Sequence, residues 1–331
     1  MKIIDPIERY EYPEKWIKQV IGRKVTELNN KDKDTQYKTV QDMVASGLYI
    51  ICPDGNILRR GLTTGTTASA VVKAVSNLSE TIIPDPNDLK KDRTDNFVKI
   101  TVKTPVNIDV DIKVRLVDDN TAVAKKFSGD HAFDITQGID IIAKIVENSR
   151  KDGNASKMIL KGYGVDTISK SAMNQLLNNM GNIVVKIEIP DGIKKGAEIG
   201  REGISLLGTT GFVEPWCERL IDMKSEIAKE YEKVAIVTGR KGWRWAYDNT
   251  KYQPIVFGIH IDEGLKACTG ETSLIGMPSL IGRWAGIDFK SKKSDKEREE
   301  MVKQIYLKAK KITKNLRSVY IIFKDKVISY G

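Results

Sequence analysis

Cysteine and histidine are scarce in this chain, and each shortage removes a class of chemistry. Its three cysteines, Cys52, Cys217 and Cys268, are odd in number, far apart and never in a Cys-x-x-Cys pair. That argues against a disulfide framework and against a cysteine zinc site. With His131 and His260 as the only histidines, the sequence predicts no protein-bound metal. No apolar run approaches the length of a bilayer crossing, and the first ten residues hold no signal core, so the expectation is a cytoplasmic protein with no membrane partner. Neither a Gly-x-x-x-x-Gly-Lys-Ser/Thr loop nor a Gly-x-Gly-x-x-Gly opening a helix is present, so neither a P-loop nor an ordinary dinucleotide fold is signalled.

What is present suffices for a folded protein. At 331 residues, 40% hydrophobic and 30% charged, the chain can bury a sizeable core and suggests roughly two domains. The formal charge of +10 points to an acidic partner. A nucleic acid, an anionic membrane surface and a small molecule bearing several carboxylates all fit that charge.

One stretch draws the most notice, Gly203-Ile-Ser-Leu-Leu-Gly-Thr-Thr-Gly-Phe-Val-Glu-Pro215. A short apolar run stops at Gly208-Thr209-Thr210-Gly211, and from Cys217 to Tyr231 apolar residues recur at helical spacing. The pattern predicts strand, glycine turn, then helix, with Glu214 and Pro215 at the first helical positions. Glycines let backbone N–H groups approach a ligand, and a helix start favours negative charge. The stretch reads either as a pocket floor for anionic groups or as a tight structural turn. A second stretch has the same build: Arg59-Arg60-Gly61-Leu62-Thr63-Thr64-Gly65-Thr66-Thr67 leads into a helix with Ala70, Val71, Ala74, Val75 and Leu78 on one face. Thr66 or Thr67 is a plausible N-cap there. Two such openings, one beside a pair of arginines, make a ligand site more credible than either alone.

Around these stretches the chain reads in order. Residues 1–55 form an accessory segment with helices near 14–21 and 40–48, a polar loop at 29–34 and a turn at Pro53-Asp54-Gly55. Between Val106 and Leu116 every even position is apolar, which marks a strand with one wet face, and Thr121–Phe127 returns as its hairpin partner. Gly129 to Gly138 leads into a predicted helix through Ile141, Ile142, Ile145 and Val146. Asp130 and Asp134 there could form a catalytic or metal-binding pair, or cap turns, as aspartates more often do. Short strands follow at 157–164 and 183–189, then a polar loop at 190–202. From Val234 the pattern changes: 234–239, 255–259 and 319–323 are continuous apolar runs, and an amphipathic helix carries Val302, Ile305, Ala309, Ile312 and Leu316. This predicts a small α/β domain with a parallel sheet, its ligand end at Gly239 and His260. The last helix also bears Lys303, Lys308, Lys310, Lys311 and Lys314. They read as a nucleic-acid face or, with no aromatics between them, as a solvated surface.

Leu58 to Lys73, Gly129-Asp130 with Asp134-Ile135-Thr136 and Gly138, and Gly203 to Pro215 together resemble the signature segments of the CbiD family. Its members are the cobalt-precorrin-5B C1-methyltransferases of anaerobic cobalamin biosynthesis. The segments lie in the family's order. Thr67 stands where the family usually has cysteine, His131-Ala132-Phe133 replaces a more acidic stretch, and residues 256–266 follow the family only loosely. The resemblance implies transfer of a methyl group from S-adenosylmethionine to C1 of a cobalt-bearing tetrapyrrole, giving cobalt-precorrin-6A. The alternative is a binder of anionic ligands or nucleic acid that uses the last helix. The expected architecture is an accessory segment at 1–55, an α+β domain at 56–230 and a smaller α/β domain at 231–331, the two domains enclosing a cleft. Candidate catalytic residues are Asp130, Asp134 and Glu214. Candidate cofactor- or substrate-binding residues are Thr63, Thr64, Gly65, Thr66, Gly208, Thr209, Thr210, Gly211, Gly239 and His260.

Overall fold

A computed structural model describes residues 2–23, 33–80, 96–146, 157–289 and 294–331. Part of the polar loop expected at 29–34 lies outside them. The fold is mixed α/β, with several sheets, and the chain divides into two compact units. The central unit comprises residues 46–49 and 58–216. The split unit joins 1–45 and 50–57 to 217–331. Most of the segment expected to be accessory therefore packs with the C-terminal part of the chain. The helix Glu218–Lys229, expected with the middle of the chain, packs there too.

In the central unit a six-stranded sheet runs in the order Phe97–Lys103, Asp109–Asp118, Thr121–Lys125, Asp140–Ile145, Val184–Glu188 and Met158–Lys161. All neighbours are antiparallel except the last pair. Strict alternation explains the face it buries: Val110, Ile112 and Val114 are inside, whereas Asp109, Asp111, Lys113 and Arg115 are exposed. The helix Thr64–Glu80 lies across the apolar face, burying Ala68, Val71, Val72 and Val75, and the helix Lys170–Asn178 packs beside it. Each of these valines contributes about 1.5–3 kcal/mol when fully buried. Ser169 caps the second helix, its hydroxyl accepting from the Ala172 amide at 3.3 Å.

The helix expected through Ile141–Val146 is a strand, Asp140–Ile145. Ile141, Ala143 and Ile145 are buried on one side, and edges on both flanks, Thr121–Lys125 and Val184–Glu188, supply ladder partners. Three β-branched isoleucines and two waiting edges outweigh a short apolar run that fits either period. The loop expected at 190–202 contains one short helix, Gly192–Ala197.

The split unit holds a five-stranded sheet in the order Gln253–Val256, Lys233–Val237, Glu271–Gly276, Leu316–Ile322 and Val327–Tyr330. The first four strands are parallel and the last is antiparallel. Ile236, Leu274 and Val319 are fully buried, as strands covered on both faces require. Helices Arg240–Asn249, Ile261–Ala267, Pro278–Ala285 and Asp295–Ile312 make the connections. The strand order reverses between Lys233–Val237 and Glu271–Gly276. Residues 2–12 are locked onto this unit by a buried ion pair between Glu8 and Lys224, both at most 2% exposed. Lys224 also donates to the Val256 carbonyl at 2.9 Å, and the Val256 amide donates to Glu8 at 3.0 Å.

Candidate functional site

Gly61 is the meeting point of the three sequence segments. On one side Gly61–Leu62 pairs antiparallel with Phe212–Val213. On the other the Leu62 amide donates to the Phe127 carbonyl at 2.8 Å, and Arg60 bridges to Gly129. A Cβ on Gly61 would stand 2.4 Å from the Ser128 carbonyl carbon, and one on Gly129 would stand 2.3 Å from the Arg59 oxygen. Backbones that close admit only glycine.

The two Thr-Thr-Gly stretches are tied to each other. The Thr63 amide donates to the Gly211 carbonyl and the Gly65 amide to the Leu207 carbonyl, both at 2.9 Å. The Thr66 hydroxyl lies 3.0 Å from the Gly211 carbonyl, and the Thr64 hydroxyl donates to the Ser205 carbonyl at 3.0 Å while accepting from the Leu207 amide at 2.9 Å. Thr63, rather than Thr66 or Thr67, caps the helix Thr64–Glu80, its hydroxyl accepting from the Thr66 amide at 3.2 Å. Thr67 instead donates back to the Thr63 carbonyl at 3.2 Å, as a threonine inside a helix does.

The second glycine turn does not open a helix. Phe212–Val213 is a strand, and the next helix starts at Glu218 with Cys217 at its N-cap. Glu214 and Pro215 are therefore not first-turn residues, because pairing with Gly61–Leu62 keeps this backbone extended. Among the described residues, the amides of Gly208, Thr209, Thr210 and Gly211 donate to no protein acceptor. Thr209 is exposed, whereas the Thr210 hydroxyl is spent on Phe212, accepting from its amide at 3.2 Å and donating to its carbonyl at 3.1 Å.

Each candidate carboxylate has a cationic partner. Asp130 accepts from the Arg59 backbone amide at 2.7 Å and from its guanidinium at 3.2 Å. Glu214 accepts from Arg60 at 2.8 Å, and the fully buried Arg60 also donates to the Gly47 carbonyl at 3.2 Å. Asp134 accepts from the buried Lys126 at 2.9 Å, from the Ser128 hydroxyl at 2.6 Å and from the Thr136 hydroxyl at 2.5 Å. Burial pushes its carboxyl up, but the hydrogen bonds from Lys126, Ser128 and Thr136 outweigh this and hold it well below the usual carboxylate range. His131 is turned inward on its own loop, its Nδ1 accepting from the Phe133 amide at 3.1 Å.

Gly239 and His260 are brought to the C-terminal end of the parallel sheet of the split unit, whereas the threonine stretches belong to the central unit. Gly239 precedes the helix Arg240–Asn249 in extended conformation, with open space where a Cβ would stand. His260 precedes the helix Ile261–Ala267, its Nδ1 3.4 Å from Glu263. Next to Gly239, the buried Thr238 hydroxyl lies over Gly276, where a Cβ would meet it at 2.1 Å.

The central unit also contains a cavity of about 610 Å³. The strands Asp109–Asp118 and Thr121–Lys125 pair only as far as Arg115↔Val123. The cavity opens where they part, at Ile112–Lys113 and Ala124–Lys125, with Leu62 and Thr67 among its lining residues.

Burial raises the thiols of Cys52 and Cys268 to about 12 and about 11, too high for a thiolate at neutral pH. Among the described residues no cluster of three His, Cys, Asp or Glu could hold a metal ion, and no helix is long and apolar enough to cross a membrane. Sequence reasoning missed Lys126 and Gln175, and it read Arg60 as part of a ligand site, whereas the buried Arg60 is spent on Glu214. The Gln175 side-chain amide sits 3.2 Å from both the Thr66 hydroxyl and the Lys103 carbonyl.

The assembled segments match known proteins. A family model described as CbiD matches residues 52–215. A cobalt-precorrin-5B C(1)-methyltransferase of Archaeoglobus fulgidus is 40% identical over 324 residues, covering 92% of this chain and 94% of that protein. One of Methanococcoides burtonii is 31% identical over 312 residues, covering 87% and 84%. The 1.9 Å crystal structure of a cobalamin biosynthesis protein (cbiD) from Archaeoglobus fulgidus superposes with a TM-score of 0.72 at 38% identity, covering 97% of this chain and all of that one. With sequence, fold and the convergence of its three signature segments in agreement, this chain belongs to the CbiD family.

Proposed function

We infer that the protein is a cobalt-precorrin-5B C1-methyltransferase that takes its methyl group from S-adenosylmethionine. The observation that carries this reading is 40% identity across 92% of the chain to a relative of that name. The setting we propose is cytoplasmic, in cobalamin biosynthesis, with the two units behaving as an α+β and an α/β domain. In the reaction a ring carbon attacks the sulfonium methyl, one C–C bond forms, the C–S bond breaks, and S-adenosylhomocysteine leaves with the electron pair. Such a displacement needs alignment and exclusion of water more than it needs a nucleophilic side chain.

The unspent amides of Gly208 to Gly211 and the exposed Thr209 hydroxyl suit an anionic ligand group. Thr63, Thr64 and Thr66 hold that turn in place rather than offer their own donors. The open Gly239 and the neighbouring His260 suit a second ligand at the sheet end, where the strand order reverses. Of the three carboxylates, Asp130 is the most accessible to solvent, at 31% exposed against 13% for Asp134 and 17% for Glu214.

The test is incubation with S-adenosylmethionine labelled in its methyl group and cobalt-precorrin-5B. A product heavier by one methyl group is expected, and its absence under anaerobic conditions would defeat the reading. Binding of nucleic acid through the helix Asp295–Ile312 has less support, because Lys308 and Lys310 are spent on backbone carbonyls of Trp284, Lys314 and Leu316.

A further inference from the structure

The cavity of the central unit has a distribution of charge that the reaction alone does not explain. Two aromatic rings, Phe97 and Phe127, line it and are 43% and 37% exposed. Its acidic members are already neutralised. Asp111 accepts from Lys99 at 2.9 Å and from Thr101 at 2.6 Å, and Asp140 accepts from Lys125 at 3.0 Å. Lys113 and Arg115 make no ion pair among the described residues, and Lys113 rests its ammonium over the Phe97 ring, 4.1 Å from the centroid. Two cations without a carboxylate partner, beside two part-exposed rings that already carry Lys113 on Phe97 and Arg59 on Phe127 at 5.8 Å, fit a ligand that is flat, apolar on its faces and anionic at its edge.

We propose that this cavity receives one carboxylate-bearing edge of the tetrapyrrole substrate, with Lys113 and Arg115 holding the carboxylates and Phe97 and Phe127 covering the ring. The proposal rests on the methyltransferase reading and adds a location for the acceptor. The cavity volume of about 610 Å³ suits an edge rather than a whole macrocycle with its side chains. Leu62, whose strand pairs with Phe212–Val213, and Thr67, in the helix that follows, are among its lining residues.

Two cobalt corrins test it: cobyrinic acid, whose peripheral groups are carboxylates, and cyanocobalamin, in which most are amides. Binding is followed by quenching of tryptophan fluorescence in the wild type, in K113Q/R115Q, in F97A, and in K251Q/K266Q as a control of equal charge loss. The wild type and the control are expected to bind the acid form about ten-fold or more tighter than the amide form. K113Q/R115Q should lose about ten-fold for the acid form alone, and F97A should weaken both, with melting temperatures of the charge variants unchanged. Equal affinity in K113Q/R115Q and the wild type, no preference between the corrins, or no binding of the acid form by the wild type would overturn the cavity assignment. Methyl transfer separates the two readings. An active wild type with an unaltered KM in K113Q/R115Q would sink the cavity and leave the activity standing, whereas an inactive wild type would sink the activity itself.

Discussion

The hydroxyl of Thr64 works in both directions on the strand Ile204–Leu206 and its exit, accepting from the Leu207 amide at 2.9 Å and donating to the Ser205 carbonyl at 3.0 Å. One side chain thus satisfies the buried Ser205 carbonyl and the part-buried Leu207 amide and fastens the first threonine stretch to the second. Thr64→Val keeps the shape and strands the buried Ser205 carbonyl, so it should lower unfolding free energy by about 1–3 kcal/mol, the cost of one unsatisfied buried group. Thr64→Ser, which retains the hydroxyl, should recover most of that in urea unfolding. Equal losses in both would assign the effect to packing.

The glycine turn separates by position into structural and ligand-facing residues. Gly211 has φ +90°, and a Cβ there would meet the Thr104 Cβ at 2.7 Å, so Gly211→Val should cost about 1–3 kcal/mol or more and lower activity through folding. Thr210→Val should cost about 1 kcal/mol by removing the bonds to Phe212. Thr209 is the discriminating position, because it is exposed. If the turn faces a ligand, Thr209→Val should lose ligand affinity while its melting temperature holds. Unchanged ligand binding would make Thr209 a bystander.

Much of this was legible in the chain, and the failures have physical causes. Continuous apolar runs found three strands of the parallel sheet, because strands buried on both faces need no alternation. The central strand Glu271–Gly276 was missed because Thr272 and Ser273 break its apolar run, although both are fully buried. Buried cations left a signal that went unread. Leu58, Arg60 and Leu62 are inward at a period of two, as are Ala122, Ala124 and Lys126. A cation in an inward register needs a carboxylate across from it, and Glu214 and Asp134 are those carboxylates. The knot around Gly61 was invisible because its partners are distant in sequence and glycine turns carry no record of what they touch.

The buried pair of Lys126 and Asp134 gives a pH-dependent prediction. The Asp134 carboxyl sits below its unfolded value, so its stabilisation is present above about pH 4 and is lost as pH falls through the folded value. Asp134→Asn leaves Lys126, 1% exposed, without its counter-charge and should cost about 3–5 kcal/mol at neutral pH. It should also flatten the fall in melting temperature between about pH 5 and pH 2 relative to the wild type. Asp130→Asn, at a pair with a half-exposed arginine, should cost about 1 kcal/mol or less. Similar losses at both aspartates would contradict this assignment.

Gly239 offers the cleanest probe of the parallel sheet's open end. Its φ of 170° suits any residue and nothing lies within 4 Å of a Cβ, so Gly239→Ala should leave stability within about 0.5 kcal/mol. A ligand approaching that backbone would meet the new methyl group. Calorimetry with S-adenosylhomocysteine should then show weaker binding in Gly239→Val, more so than in Gly239→Ala. Unchanged affinity in both would move the methyl donor away from this strand end.

The split unit has a consequence for how the protein is made. Glu8 needs Lys224 and the Val256 amide, and neither exists until some two hundred residues more have been added. At about 5–20 residues per second, residues 2–12 wait roughly ten to fifty seconds on the ribosome with Tyr10, Tyr12 and a carboxylate destined for burial still in water. The central unit, complete at Trp216, can fold during that interval. Folding therefore runs in the order middle first and ends last, and the opening residues are the part of the nascent chain most in need of a chaperone's protection.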